Sequence, residues 1–119
     1  MLILIAHGSP NPRWRDSVET LTQSLQATLG PDKVQLAYMQ YTPPTLPDVA
    51  FQAAAMGIKK IRALPLFLTT EGHVDRHIRP LVDKLRKDLA PIEVELLPPL
   101  GQHPLLRELL CKIALQSSE

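Results

Sequence analysis

Two histidines follow apolar segments that are typical of buried strands. His7 comes directly after the run Leu2–Ala6, and His73 follows a second run at residues 60–68. The carboxyl ends of parallel strands share one edge of a sheet, where ligands bind, so neighbouring strands would bring both imidazoles to one cation. Neutral imidazole binds Co²⁺, Ni²⁺, Fe²⁺ and Zn²⁺. A structural zinc site uses four protein ligands, whereas these two histidines supply only two. The pattern therefore predicts a metal site with open coordination positions.

Glu71 lies two residues before His73 and is a candidate for a third metal ligand or a proton acceptor. A base that titrates near the working pH transfers protons effectively, and neutral histidine meets the same requirement. The alternative interpretation treats the loop histidines as surface residues or as hydrogen-bonding groups without a metal. His103 has the position of a helix start, and His77 is expected to be solvated on a helix.

The elements that must position these side chains alternate along the chain. Short apolar runs predict strands at residues 2–6, 33–39, 60–68 and 93–97. Apolar residues at steps of three and four predict helices at residues 13–29, 46–56, 74–89 and 104–116, with Thr45 as the N-cap of the second. This alternation predicts an α/β fold, a four-stranded parallel sheet with helices on both faces. We expect a flavodoxin-like strand order, 2-1-3-4, with His7 and His73 at the same edge.

Composition and charge exclude several classes of protein. The 119 residues suit one domain, and 45% hydrophobic with 21% charged residues is typical of a globular chain. A net charge of +1 and 4% aromatic residues argue against a nucleic-acid partner. Cys111, the single cysteine, excludes an intramolecular disulfide and a cysteine zinc site. No apolar run approaches the length of a membrane span, and residues 1–6 are too short for a signal peptide. We therefore expect a cytoplasmic protein without a membrane partner.

Four segments carry a resemblance to a known family. They are LILIAHGS, AYMQYTPPTL, LPLFLTTEGHV and PPLGQHPLL, and they extend over residues 2–110. Their order and spacing resemble those of the sirohydrochlorin chelatases of the CbiX/SirB type, which are class II tetrapyrrole chelatases. The resemblance implies insertion of Co²⁺, Fe²⁺ or Ni²⁺ into sirohydrochlorin without ATP, in the synthesis of cobalamin- or sirohaem-type tetrapyrroles. It implies no cofactor beyond the metal substrate.

The same resemblance implies how the chain is organised. Most relatives have two similar half-domains in one chain, and residues 1–119 correspond to a single half-domain that assembles as a homodimer. The two family histidines match His7 and His73. One half-domain offers one wall of a cleft, and a second copy would supply the other wall. We expect Leu46 and Leu100 to lie in the interface between the copies.

Two positions depart from the family pattern. Gln40 stands where many relatives have an acidic residue, and His77 precedes Ile-Arg-Pro where many have an aspartate. Glutamine cannot take up a proton, so Glu71 or a histidine would have to deprotonate the tetrapyrrole. These departures motivate an alternative, a non-catalytic carrier or partner protein that binds metal or tetrapyrrole. A flavodoxin-like module that binds a small ligand without metal is a further alternative.

Sirohydrochlorin carries carboxylates around its ring, so cationic and hydrogen-bonding residues near the loops are candidates for binding it. The predicted substrate-binding residues are Ser9, Arg13, Gln40, Gly72 and Arg76, and Arg79 is a further nearby arginine. Each arginine can equally be an ordinary solvated charge on a helix. Gly8 and Gly72 are also expected to supply positive φ angles in turns.

Overall fold

The structure is a computed structural model that describes residues 1–69, 72 and 74–117. Four strands alternate with four α-helices in this part of the chain: β1 Leu2–Ala6, α1 Pro12–Leu29, β2 Val34–Tyr38, α2 Leu46–Ala55, β3 Lys60–Pro65, α3 Arg79–Asp88, β4 Glu93–Leu96 and α4 Pro104–Ser117. All strand pairs are parallel, and the order is β2-β1-β3-β4. The predicted fold class and strand order are confirmed.

The two faces of the sheet are covered unequally. Successive side chains of a strand point to opposite faces. Ile3, Ile5 and Ala63 point to one face and form the hydrophobic core together with residues of α2 and α3. The opposite face carries α1, which packs on β2. Helices therefore lie on both faces, but the main core lies between the sheet and α2 with α3.

Leu46 belongs to this core. It is the first residue of α2, and only 3% of its surface is exposed. The expectation that Leu46 lies in an interface between copies is wrong, because the capped start of α2 turns this side chain inward. Leu100, the other residue named for that interface, is half-buried in a 3-10 turn, Leu100–Gln102.

Two proline residues account for the two largest differences from the predicted bounds. The sequence predicts one strand over residues 60–68, but β3 ends at Pro65, which has no N–H for the ladder. The helix predicted at 74–89 begins as a π-helical turn, Val74–Ile78, and becomes α-helical from Arg79. Pro80 lacks the N–H that an α-helix would bond to the carbonyl of Arg76, which favours the wider turn before it.

Thr45 caps α2 as predicted. Its Oγ1 accepts a hydrogen bond from the Asp48 N–H at 3.3 Å, and the Asp48 carboxylate accepts one from the Thr45 N–H at 2.9 Å. This reciprocal pair is a capping box, which satisfies two backbone donors that the helix itself leaves without acceptors. The box fixes where the loop after β2 ends and α2 begins.

Replacing Thr45 with alanine is expected to lower the free energy of unfolding by about 1 kcal/mol, since the N-cap acceptor is lost. Urea denaturation followed by circular dichroism measures this change. Thr20→Ala is the matched control, because Thr20 is exposed inside α1, and it is expected to change stability by less than about 0.5 kcal/mol. Equal effects of the two substitutions would contradict the capping role.

Candidate functional site

His7 follows the carboxyl end of β1, and backbone hydrogen bonds join its loop to the segment after β2. The Met39 N–H donates to the Ala6 carbonyl at 2.7 Å, and the Gln40 N–H donates to the His7 carbonyl at 3.1 Å. Gly8 has a φ of +86°, and a Cβ at this position would collide with the Gln40 carbonyl oxygen. The predicted positive φ is confirmed, and the close approach of the two loops holds His7 at the sheet edge.

On its other side, β1 is paired with β3, which brings Phe67 against His7. The Leu66 N–H donates to the Ile5 carbonyl at 2.8 Å, so the two strands stay paired to this edge. The rings of His7 and Phe67 have centroids 4.3 Å apart and are tilted by 33°. Phe67 is buried, whereas His7 is exposed. The contact orients the imidazole while leaving it accessible from solvent.

Ser9 and Asn11 connect the His7 loop to α1. Ser9 is buried, and its Oγ accepts a hydrogen bond from the Asn11 N–H at 3.1 Å. Asn11 is the N-cap of α1, and its Oδ1 accepts from the Arg13 N–H at 3.0 Å. These bonds give Ser9 a structural function in the turn, while a contact with substrate stays a prediction for Ser9 and for the exposed Arg13.

A cavity of about 550 Å³ opens beside His7 on the α1 face of the sheet. Its polar end is formed by the loop after β1, and its apolar wall by α1 and the segments after β3 and β4. The lining residues include His7, Gly8, Ser9, Trp14, Arg15, Val18, Leu21, Leu66 and Leu100. Neither Arg13 nor Gln40 is among them. The structure therefore brings His7 and Ser9 together at one cavity.

Arg15 is a residue of this cavity that the sequence did not single out. Its Nη1 donates to Thr42 Oγ1 at 2.7 Å, across to the loop after β2. Its Nε is buried and has no hydrogen-bond partner among the described residues. Helical periodicity alone does not distinguish Arg15 from the solvated charges of α1. Its position directly after the His7 loop was the available signal.

Tyr38 and Glu19 join β2 to α1 close to Arg15. The Tyr38 hydroxyl donates to Glu19 Oε1 at 2.6 Å. Burial raises the pKa of Tyr38 far above its usual value, and the hydrogen bond to Glu19 and its negative charge raise it further, against an opposing effect of Arg15. The phenol is therefore held protonated, and the bond fastens α1 to the sheet.

The raised pKa of Tyr38 predicts a loss of stability at alkaline pH. The stabilisation that the protonated Tyr38 phenol supplies is fully present below the unfolded pKa of about 10. It is lost as the pH rises toward the higher folded pKa. We expect the Tyr38→Phe variant to show a smaller decline of unfolding free energy above pH 10 than the parent chain, measured by urea titrations at each pH. Tyr41→Phe is the control, because Tyr41 is exposed. Identical pH profiles for Tyr38→Phe and the parent would contradict the expectation.

Gly72 and Arg76 contact each other in the segment between β3 and α3. Gly72 has a φ of +82°, as expected, and its carbonyl accepts from the Arg76 N–H at 2.9 Å. A Cβ at Gly72 would lie 3.3 Å from Arg76 Nε, so the guanidinium rests against the glycine. Arg79 forms an exposed ion pair with Asp75 at 3.0 Å. His77 is exposed, as predicted, within the π-helical turn.

Two of the predicted site residues, Glu71 and His73, lie outside the described residues. The pairing of His7 with His73 and the roles assigned to Glu71 therefore stay predictions. Across residues 1–69, 72 and 74–117, no three His, Cys, Asp or Glu side chains are grouped so that they could hold a metal ion. In the same residues no helix combines the length and apolar character of a membrane span.

His103 has the helix-start role that its position suggested. Its Nδ1 accepts a hydrogen bond from the Leu105 N–H at 3.1 Å, at the first turn of α4. The ring nitrogen thus takes the place of the hydroxyl or carboxyl oxygen that usually caps a helix.

Comparisons with known proteins agree with this architecture. Residues 1–117 match the model of a protein family described as CbiX. A sirohydrochlorin cobaltochelatase of Saccharolobus solfataricus is 28% identical over 117 residues, which cover 93% of this chain and 90% of that protein. One of Methanococcus maripaludis is 30% identical over 77 residues, covering 65% of this chain and 54% of that protein. The match thus spans about half the length of the Methanococcus relatives.

A solved structure has the same fold. The crystal structure of a CbiX protein from Marinobacter aquaeolei VT8 superposes with a TM-score of 0.82 at 24% sequence identity. The superposition covers 98% of this chain and 94% of that one. The likeness extends over the whole sheet and its helices.

Proposed function

The chain is a member of the CbiX family, and from that premise we propose that it inserts a divalent metal into sirohydrochlorin without ATP. The observation that carries the proposal is the exposed His7 imidazole at the mouth of a cavity of about 550 Å³, at the ligand-binding edge of the sheet. The relatives named as cobaltochelatases favour Co²⁺ as the metal, with Fe²⁺ and Ni²⁺ as the other candidates.

His7 suits a metal that must be released. The imidazole is exposed on one side and oriented by Phe67 on the other, so a cation can approach from solvent and leave again. We assign His73 as the second ligand, on the family pattern and its place after β3. Two ligands leave coordination positions for the pyrrole nitrogens, whereas a four-ligand site would hold the metal as a structural element.

Insertion also requires acceptors for two pyrrole protons. The Gln40 amide cannot serve, and the Tyr38 phenol cannot serve because its raised pKa keeps it protonated. Glu71 and the neutral histidines are the remaining candidates of the predicted site. We assign proton acceptance to Glu71 or a histidine, since a base that titrates near neutral pH is the most effective.

Cationic residues near the cavity would bind the carboxylates of the tetrapyrrole. Arg15 places a positive charge on the cavity wall, and Arg76 rests against Gly72 in the segment between β3 and α3. Arginine binds carboxylates through two parallel hydrogen bonds, which orients as well as attracts the ring. We extend this proposal to Arg13 and to the polar groups of Ser9 and Gln40.

We further propose that the chain acts in the cytoplasm as one half-domain of a homodimer. The cavity beside His7 is open, and a large macrocycle bound there would be enclosed on one side by a single copy. A second copy related by a twofold axis would supply the opposite wall and a second His7. The Saccharolobus solfataricus relative, of which the match covers 90%, is about as short as this chain and supports the half-domain assignment.

The test is anaerobic incubation of the purified chain with sirohydrochlorin and Co²⁺, Fe²⁺ or Ni²⁺ in turn, followed by absorbance. We expect insertion above the spontaneous rate, with Co²⁺ giving the largest acceleration. If the chain binds the tetrapyrrole but accelerates insertion of none of the three metals, the proposed enzyme is wrong and the non-catalytic carrier, which Gln40 motivates, takes its place. If the chain neither binds the tetrapyrrole nor accelerates metal insertion, both the enzyme and the carrier proposals are overturned.

A further inference from the structure

Trp14 is the most exposed of the large apolar side chains in the described part of the chain. It lies in the first turn of α1, and 78% of its surface is open to solvent. An indole offers more apolar area than any other side chain, and a large apolar group left exposed often marks a binding surface. Trp14 lies outside the hydrophobic core and lines the cavity beside His7. The exposed indole is therefore part of the candidate site.

Hydrogen bonds fix the position of Trp14 relative to His7. The Asn11 N–H donates to Ser9 Oγ at 3.1 Å, and the Trp14 N–H donates to the Asn11 carbonyl at 3.1 Å. Pro12 restricts the backbone further at the first position of the helix. A short and restrained segment therefore joins the indole to the imidazole, which is what a precise binding site requires.

The cavity that Trp14 lines is largely apolar. Trp14, Val18 and Leu21 are spaced by four and three residues, which places them on one side of α1. Leu66 and Leu100 complete the apolar lining. The volume of about 550 Å³ lies within the range of ligand-binding pockets, about 300–1,000 Å³. Because the polar loop after β1 closes one end, the cavity suits a ligand with a broad apolar surface and polar groups at its edge.

Two cationic residues flank the indole in the sequence. Arg13 directly precedes Trp14 and is exposed, and Arg15 directly follows it and lines the cavity. A conjugated ring whose edge carries carboxylates matches this arrangement. The ring face can pack on the indole, and the carboxylates can accept hydrogen bonds from the two guanidinium groups.

A second cavity near the candidate site has a different character. Its volume is about 400 Å³, and it is lined by the π-helical turn, the start of α3 and the segment after β4, with Asp75, Arg79 and Gln102 among the residues. The Arg79 guanidinium is already paired with the Asp75 carboxylate at 3.0 Å. None of the described residues that line this cavity is aromatic. The face of a tetrapyrrole is therefore better matched by the α1 side of the site.

We propose that Trp14 is a substrate-binding residue whose indole packs on the face of the tetrapyrrole ring and holds that ring on the α1 side of His7. The inference rests on the proposed function and deepens it, since it names the side chain that recognises the macrocycle itself. Stacking of the two conjugated ring systems buries apolar area on both and adds the attraction between aromatic rings. Arg13 and Arg15 act on the carboxylates, so recognition of the ring and of its charges is divided between different side chains.

Equilibrium dialysis with metal-free sirohydrochlorin tests the contact directly. Trp14→Ala is expected to raise the Kd at least about tenfold, within the range for loss of one aromatic stacking partner. Trp14→Phe keeps an aromatic ring and is expected to stay within about threefold of the parent chain. Met56→Ala is the matched control, because Met56 is 62% exposed at the end of α2 and does not line this cavity. A Trp14→Ala variant that binds as tightly as the control would overturn the inference.

The salt dependence of the Kd distinguishes the ring contact from charge. Added NaCl screens the attraction between arginines and carboxylates but not an apolar contact. We expect the Kd of each variant to rise between about 50 and about 500 mM NaCl, while the ratio of Trp14→Ala to parent stays constant within about twofold. A ratio that falls to one at high salt would assign the effect to charge and overturn the stacking.

Light scattering of the ligand-free chain tests whether Trp14 instead contacts a second copy. Trp14→Ala is expected to have the same mass as the parent chain, because the indole binds substrate. A lower mass together with weaker binding would make Trp14 a residue of an interface between copies and overturn the inference.

Steady-state kinetics separate failure of this inference from failure of the proposed function. Trp14→Ala is expected to raise the KM for sirohydrochlorin about tenfold and to lower kcat less than about threefold, since the indole binds the ring and not the metal. A parent chain that inserts metal, with an unchanged KM in Trp14→Ala, would overturn the inference and leave the function standing. A chain that binds sirohydrochlorin through Trp14 but inserts no metal would leave the inference standing and overturn the function.

Discussion

Replacing His7 with alanine is expected to lower the initial rate of metal insertion by at least about 100-fold, the lower range for loss of a group that acts directly on the reactants. The imidazole is the exposed metal ligand of the proposed site, and alanine offers no donor atom. The fold should persist, because His7 lies beyond the last residue of β1 and its carbonyl bond to the Gln40 N–H does not involve the side chain. Circular dichroism shows whether the fold persists, and the absorbance assay measures the rate of metal insertion.

His77→Ala is the matched control for this substitution. His77 is also an exposed histidine near the candidate site, but it lies in the π-helical turn before α3. We expect its replacement to change the rate by less than about threefold, within the effect of an ordinary surface substitution. A loss as large as that of His7→Ala would make His77 the second metal ligand in place of His73. His73→Ala should match His7→Ala if both histidines hold the metal.

Gly8→Ala is expected to cause a large loss of stability. The new Cβ would collide with the Gln40 carbonyl oxygen, which belongs to the backbone and cannot rotate away. The φ of +86° adds strain that alanine does not tolerate. We expect the free energy of unfolding to fall by about 3 kcal/mol or more, together with metal insertion, because the loop that carries His7 must move.

Gly57→Ala separates the two contributions. Gly57 has a φ of +84°, almost the same angle, but a Cβ there would meet nothing within 4 Å. Only the backbone strain remains, so we expect a loss of about 1 kcal/mol. Urea denaturation of both variants measures the two losses of unfolding free energy. Their difference is the contribution of the steric collision between the loop after β1 and the segment after β2. Equal losses would show that the collision is relieved by a movement elsewhere.

The sequence was sufficient to predict the sheet and the edge that carries His7. Alternation of short apolar runs with helical periodicity leaves few arrangements once crossovers are right-handed. Pairing of β1 with β3 then follows from the predicted order, and the contact of His7 with Phe67 is the local result. The Thr45 cap and the positive φ of Gly8 were also predictable, because each depends on residues close in sequence.

The features that were missed depend on residues far apart in sequence. Leu46 follows a proline-rich loop and resembled an interface residue, yet it belongs to the core together with Ile5 and Ile78. Arg15 reaches Thr42 across the space between α1 and the loop after β2, a contact that helical periodicity does not show. The placement of α4 is likewise a tertiary result: its apolar spacing predicts that it packs on something, but not on what.

The central place of β1 has a consequence for how the chain folds as it is synthesised. Leu2 pairs with Val34 on one side and with Arg62 on the other, so both neighbours of the most apolar strand come later in the chain. At about 5–20 residues per second, several seconds pass between the emergence of β1 and that of β3. Non-local pairing of this kind also slows folding, because the entropy of closing the intervening loops is lost before the contacts are gained. The segment LILIA therefore stays without both of its strand partners until β3 has been synthesised.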